Sequence, residues 1–488
     1  MKIQYPETPL PLIPLVKTRL FSFYVPSFIS RKLSLSWLLL PFLLFLALLL
    51  DIIGFPPIYQ SSFLGINFQI FSNSKCDYTN GKWVRDNVTY TSEFYTENCL
   101  FLDQGFRCQG NGRKDNDFRN WRWQPKDCSL PRFDANDLLE RSRNGRIVFV
   151  GDSIVRNQWE SMLCMLAGSI PMNETSTEVY EENGNPITKH KGFLSFRFRS
   201  YNLTVEYYRN PFLVFMGHPP SPSKNSSLSS TDNKMFKSTI RVDSLHADSK
   251  KWINADVLVF SAGHWWTDDK TIKKGVFFQQ GSTVNITMDV KEAFRRSVQS
   301  WKRWVLQKLD PSKTHIFFRS YSPIHFRQVK ISLLFLPLKF HRPKTVMSPQ
   351  NFLACSLRFS TCREGTWNSG GRCEMYTAPD SKLREPNTEP WNNLMMSETC
   401  DDINSNKKKR SSNIVEYLNI TYLTNSRVDG HPSKYYSGGT INTPPINVTT
   451  VPNNIQQDCS HWCLPGVPDT WNHLLYAQLL SRGFKTKL

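Results

Sequence analysis

Between Leu33 and Leu50 the chain carries 18 consecutive residues without a charge, among them Trp37, Leu38, Leu39, Leu40, Phe42, Leu43 and Leu44. This is its one strongly non-globular stretch, and about 18 apolar residues is close to the shortest helix that spans hydrocarbon. Lys17, Arg19, Arg31 and Lys32 precede it and Asp51 follows, so the positive-inside bias holds the N-terminus in the cytosol and places the rest in a lumen. A cleaved signal peptide is the competing reading. Against it stand the length of the run, its late start and the lack of a clear small-residue cleavage site. The expected order is a cytosolic tail (1–32), a transmembrane signal anchor (33–53), a stem with little periodicity (54–75) and a lumenal body from Cys76.

Two features agree with a secretory compartment. Seven N-x-S/T sequons, at Asn87, Asn173, Asn202, Asn225, Asn285, Asn419 and Asn447, follow the apolar run and none precedes it, though chance supplies some of them. Eleven cysteines, four of them between Cys76 and Cys128, suit an oxidising lumen, and no Cys-x-x-Cys pair points to a zinc ribbon. The net charge of +19 favours acidic partners, which in a lumen are acidic glycans and not nucleic acid. A solvated basic surface is the blander reading, because the charge is dispersed and only Lys407 to Arg410 forms a run.

From Cys76 to about residue 145, aromatic and polar residues mix with Gly81, Gly105, Gly110 and Gly112, a texture of disulfide-held loops. At Arg146 the texture changes. Ile147 to Val150 form a short apolar run ended by Gly151, and Val155, Trp159, Met162, Leu163 and Leu166 then share one helical face. Further strands are expected at Val257–Phe260, His315–Phe318 and Ile420–Leu423, and a long helix from Val290 to Val305. The alternation predicts an α/β domain over 146–488, a mostly parallel sheet with helices on both faces and chemistry at the carboxyl ends of its strands. Phe193 to Tyr208 reads as a hairpin packed beside that sheet.

Ser153 follows Gly151 and Asp152 at the first strand-to-helix turn, where a helix N-terminus offers N–H groups to a developing oxyanion. A structural cap at Asp152 or Ser153 is the commoner use of such residues. A serine nucleophile needs a base and an acid to orient it. Asp458-Cys459-Ser460-His461-Trp462-Cys463 supplies both on a loop that two cysteines could brace. Asp429-Gly430-His431-Pro432 competes, but its spacing and proline read as a structural turn. His264 stands near the site in Gly263-His264-Trp265-Trp266, whose tryptophans could stack on sugar rings or belong to the core.

Taken together, these residues resemble the plant trichome-birefringence-like family, with its cysteine-rich N-terminal segment and PC-esterase domain. The resemblance runs from about Cys76 to the C-terminus. It is carried by Asn120 to Pro125, Leu130 to Asp134, Val148 to Ser153, Gly365 to Asn368 and Asp458 to Asn472. It implies a Golgi membrane protein, single-pass type II, that O-acetylates cell-wall polysaccharide, with an SGNH-like fold. It also implies a triad of Ser153 as nucleophile, His461 as base and Asp458 as orienting acid. Family members tend to hold eight cysteines in four bridges, and the matching positions are Cys76, Cys99, Cys108, Cys128, Cys164, Cys373, Cys459 and Cys463. A bridge from Cys459 or Cys463 back to the N-terminal segment would fix His461.

Two departures stand out. The family's His-Phe-Arg runs almost directly into Gly-Thr-Trp-Asn, whereas here 36 residues, Gln328 to Arg363, intervene with Leu333 to Leu336, Cys355 and Cys362. They read as retained intron sequence, with a genuine lumenal insertion as the alternative. After the second strand many members have an asparagine where this chain has Ser261-Ala262-Gly263, so the backbone N–H groups of Ser153 and Gly263 are the substitute oxyanion donors. The expected activity is acetyl transfer to a polysaccharide hydroxyl through an acyl-enzyme, with no bound cofactor and an acetyl donor, or a membrane protein supplying one, as partner. A polysaccharide acetylesterase with the same triad and a non-catalytic glycan-binding protein using Trp265 and Trp266 are the alternatives.

Overall fold

The computed structural model describes residues 76–86, 94–187, 192–219, 237–326, 371–374, 376–380, 389–405, 413–436 and 457–486. The expected anchor and stem, the segment 328–363, the Gly365–Asn368 motif, the run Lys407–Arg410 and the sequons at Asn87, Asn225 and Asn447 lie outside the described residues. Among the described residues no helix is long and apolar enough to cross a membrane.

The cysteine-rich segment contributes an antiparallel strand pair, β1 (Gly81–Arg85) and β2 (Trp121–Pro125). Helix α1 (Ala135–Arg141) follows, its cap Asp134 accepting from the Asp137 N–H. Strand β3 (Arg146–Gly151) leads into α2 (Ser153–Ala167). Next come β4 (Val179–Glu181), β5 (Phe193–Phe198) and β6 (Leu203–Arg209). After β7 (Val214–Gly217) and β8 (Ser238–Leu245), β9 (Val257–Phe260) returns to the main sheet. The remaining strands are β10 (Val276–Gln280), β11 (Thr283–Asn285), β12 (His315–Arg319) and β13 (Val415–Leu418). Helix α3 (Val290–Lys308) precedes β12, and α4 (Trp391–Ser405) precedes β13. The chain closes with α5 (Thr421–Asn425) and α6 (Val467–Ser481).

The main sheet has seven strands in the order β13-β12-β9-β3-β6-β5-β4. Its five strands from β13 to β6 are parallel, and β5 and β4 add an antiparallel edge. The expected hairpin therefore does not lie beside the sheet. It is part of it, because β6 pairs in parallel with β3 over the whole of Arg146 to Gly151. A second sheet, β11-β10-β8-β7, escaped the sequence reading; Phe215 and Met216 of β7 point partly to solvent and break the usual alternation.

Alternate residues of the buried strands divide between two cores. Ile147, Phe149, Val257, Val259 and Phe317 pack with α1, α2 and α6, while Val148, Val150, Leu258, Phe260, Ile316 and Phe318 pack with α3 and α4. Helices thus cover both faces, as the α/β pattern predicts. The strand expected at Ile420–Leu423 is instead a turn and α5, and β13 lies a few residues earlier. Ser320 Oγ accepts the Ile420 and Thr421 N–H groups and Asn419 Oδ1 accepts the latter as well, so side chains end the ladder at Leu418.

Disulfides join Cys76 to Cys128, Cys99 to Cys164, Cys108 to Cys463 and Cys373 to Cys459, which uses all eight positions. Two of them tie the cysteine-rich segment to α2 and to the loop after His461, and Tyr95, Phe101, Leu102 and Phe106 of that segment share the α2–α6 core. Residues 75–488 consequently form one compact unit. From β3 the chain moves to β6 on one side and only later to β9 on the other. A crevice opens at such a reversal outside the carboxyl ends of the strands.

Candidate active site

Ser153 stands at that crevice as the first residue of α2. The cap is Asp152, whose Oδ1 accepts from the N–H groups of Ile154 at 3.0 Å and Val155 at 3.4 Å. The capping role falls on the aspartate, and among the described residues the serine hydroxyl makes no hydrogen bond, to His461 or to any other side chain. Gly151 permits the sharp turn: a Cβ there would sit 2.4 Å from Val155 Cγ2 and 2.5 Å from the Ser261 carbonyl. From the far side Asn210 N–H donates to the Gly151 carbonyl at 2.7 Å and the Tyr207 hydroxyl to the Asp152 carbonyl at 3.1 Å. The Ser153 N–H belongs to the first helical turn, whose donors have no partner within the helix.

The loop carrying His461 is held from several directions. Asp458 is buried; its Oδ2 lies 2.7 Å from His461 Nδ1, and its Oδ1 accepts the N–H groups of Ser460 and His461, each at 3.0 Å. Burial pushes the Asp458 carboxyl up, but the His461 charge and these hydrogen bonds outweigh it and hold the group well below the usual carboxylate range. Burial likewise pushes His461 down, and the Asp458 charge and hydrogen bond, joined by the charges of Asp152 and Glu160, lift it above its ordinary value. Asn157, one turn beyond Ser153 on the same face of α2, accepts the Trp462 N–H at 2.8 Å and donates to the Trp462 carbonyl at 3.1 Å. These two hydrogen bonds seat the histidine loop on the first turns of the helix that begins with Ser153. The disulfides at Cys459 and Cys463 close the loop on either side.

His431 supports the loop from below and is not a rival base. It is buried, its Nδ1 donates to the His461 carbonyl at 2.6 Å, and its Nε2 lies 2.6 Å from His325 Nδ1. Burial pushes His431 down to about 4, so it stays neutral. Asp429 does not orient it: that carboxylate pairs with Arg427 at 2.9 Å, and the Asp429 and His431 carbonyls accept from Arg113.

Across the crevice, the loop after β9 places His264 Nδ1 3.2 Å from Asp152 Oδ2 and lets Nε2 donate to the Ser322 carbonyl at 2.8 Å, with Tyr321 stacked on the ring at 4.2 Å. Burial raises the Asp152 carboxyl, but the charge and hydrogen bond of His264 bring it below its usual range. Gly263 has φ +158°, and a Cβ there would meet Asn392 Nδ2 at 2.4 Å, so the α4 N-terminus closes over this loop. Ser261 turns inward and accepts from the buried Arg319 at 3.0 Å. Of the two tryptophans, Trp266 belongs to the core between Phe212, Phe278 and Phe294 and has no face for a sugar. Trp265 remains half-buried. Among the described residues no three His, Cys, Asp or Glu side chains converge as a metal site.

The sequence reading missed Asn157 and His325. Asn157 had a signal, its four-residue spacing from Ser153 on a helix. His325 had none, since only the fold brings it to a residue 106 positions away.

The chain matches the PC-esterase family, described as a GDSL/SGNH-like acyl-esterase family found in Pmr5 and Cas1p, over residues 130–332 and 344–478, and the PMR5 N-terminal domain over 74–129. It belongs to the trichome-birefringence-like family of PC-esterases. It is 46% identical over 463 residues to trichome birefringence-like protein 9 of Arabidopsis thaliana, covering 94% of this chain and 96% of that one. It is 38% identical to trichome birefringence-like protein 6 of the same plant, over 84% of this chain and 71% of that one. With a rice protein (Oryza sativa subsp. japonica) named xylan O-acetyltransferase 6 it shares 34% identity, over 83% of this chain and 63% of the other. The family match leaves out 333–343, inside the 328–363 segment.

Proposed function

We propose that this protein transfers acetyl groups to hydroxyls of a cell-wall polysaccharide through an acyl-enzyme on Ser153. The observation that carries the reading is the Asp458–His461 pair, fixed by Asn157 against the helix that Ser153 begins. Acyl-esterase family membership and a relative named for xylan O-acetylation support it. His461 Nε2 takes the Ser153 proton as Oγ attacks the acetyl carbonyl of the donor, and the N–H groups of Ser153 and Gly263 receive the oxyanion. Collapse expels the donor's leaving group with that proton. His461 then deprotonates a sugar hydroxyl, which attacks the acyl-serine, and Ser153 recovers its proton as the acetylated sugar departs.

Asp458 keeps Nε2 of His461 directed outward and stabilises the imidazolium that forms in each half-reaction. The four disulfides support an oxidising compartment, and we place the catalytic body in the Golgi lumen behind a single type II anchor. The test uses the full chain, nitrophenyl acetate with a labelled acetyl group, and wall oligosaccharides. Labelled oligosaccharide formed by the wild type and absent with Ser153→Ala supports the reading. Labelled free acetate alone makes the protein an esterase, and transfer that survives Ser153→Ala removes the serine from the mechanism.

A further inference from the structure

Strands β3 and β6 end side by side, with Gly151 paired to Arg209, so Arg209 emerges beside the turn that presents Ser153. Its guanidinium lies 5.5 Å from the centre of the Trp265 ring, and Lys270 Nζ lies 5.3 Å from the same ring. Phe212 backs the indole edge-on at 6.0 Å. Among the described residues neither cation forms an ion pair. The acids on the same loop are Asp268, which is exposed, and Asp269, which Lys273 holds at 2.8 Å and on which the Lys270 charge acts only as a lesser influence. Two like charges therefore converge on one half-buried indole next to the nucleophile turn, an arrangement that an anion beside the ring would relieve.

An indole face stacks on the C–H face of a pyranose, and a guanidinium takes a carboxylate through two parallel hydrogen bonds. We propose that Trp265, Arg209 and Lys270 form an acceptor subsite that selects a hexuronate residue in the polysaccharide to be acetylated. Trp265 carries the ring, Arg209 the carboxylate fork, and Lys270 a second positive charge. The proposal rests on the acyl-transfer reading for its purpose, but the binding it asserts is measurable without turnover.

The full chain carrying Ser153→Ala is titrated with a galacturonate oligosaccharide and with the same oligosaccharide after reduction of its carboxyls to primary alcohols. The carboxylated probe should bind roughly tenfold more tightly at low salt, and added salt should shrink the difference. Adding Arg209→Gln and Lys270→Gln should abolish the preference, and an unchanged denaturant midpoint for this variant shows that the fold is intact. Arg209→Lys should restore only part of it. Equal binding of the two probes, or a preference that survives loss of both cations, overturns the subsite. Selective binding with no acetylation of either probe by the wild type leaves the subsite standing and overturns the acyl-transfer reading. Equal acetylation of both probes does the reverse.

Discussion

The structure holds two aspartate–histidine pairs, Asp152 with His264 and Asp458 with His461, and they differ in what each histidine has left to offer. His264 spends both ring nitrogens, on Asp152 at 3.2 Å and on the Ser322 carbonyl at 2.8 Å. His461 spends only Nδ1, on Asp458 at 2.7 Å, and its Nε2 has no hydrogen-bond partner among the described residues. The loops are held differently too. Disulfides close the His461 loop on both sides, whereas the His264 loop depends on the core placement of Trp266 and the closeness of Asn392 to Gly263. A histidine with a free nitrogen on a covalently braced loop is fit to move a proton. One with both nitrogens engaged is fit to hold the Ser153 turn in place.

The largest expected effect tests that division. Asp458→Asn should lower kcat for acetyl transfer about 10⁴-fold, because the imidazole loses the partner that sets its tautomer. Turnover near the wild-type rate would remove the pair from the chemistry. Next, replacing Cys108 and Cys463 together with serine should cost about 2–5 kcal/mol in denaturant unfolding, since the bridge closes a long loop. The loss of activity should then exceed what the unfolded fraction explains. His264→Gln should cost about 10²-fold in kcat by misplacing the turn. A loss as large as that of Asp458→Asn would erase the distinction between the two histidines.

Asn157→Ala strands the backbone N–H and carbonyl of buried Trp462 and should destabilise the fold by about 1–3 kcal/mol. Asn157→Asp keeps the acceptor for the Trp462 N–H but sets a buried carboxylate oxygen against the Trp462 carbonyl, so it should not recover that loss. The smallest effect is in pH. His461 must be neutral to take a proton and its pKa is raised, so kcat/KM should climb with pH through a midpoint above about 6.5. Asp458→Asn should move that midpoint down. In stability the two groups act oppositely. The His461 contribution is complete below about 6.5 and fades as pH rises through the raised value, while that of Asp458 is present above about 3.9 and fades as acid reaches its depressed one.

Local pattern carried the reading wherever one segment sufficed. The strand, turn and helix around Gly151-Asp152-Ser153 were legible because apolar runs and helical spacing are short-range signals. So was the Asp458-x-x-His461 pair, three residues apart on one loop. The reading failed where a distant partner decides. Ile420 to Leu423 has strand-like residues, yet Ser320 intercepts its backbone donors and turns it into a helix. Trp265 and Trp266 are equivalent as neighbours in sequence, and only packing against Phe278 and Phe294 makes one of them core.

The sequence by itself determined the alternation of strands and helices, the serine turn and the Asp458–His461 loop. Each is written in residues close together, where sterics, periodicity and capping act. The cysteine pairing, the two-sided hold of Asn157 on Trp462, the support of His461 by His431 and the approach of Arg209 to Trp265 were decided by the tertiary structure. These join residues up to 355 positions apart, and no local preference can express which of many distant partners the folded chain brings within bonding distance.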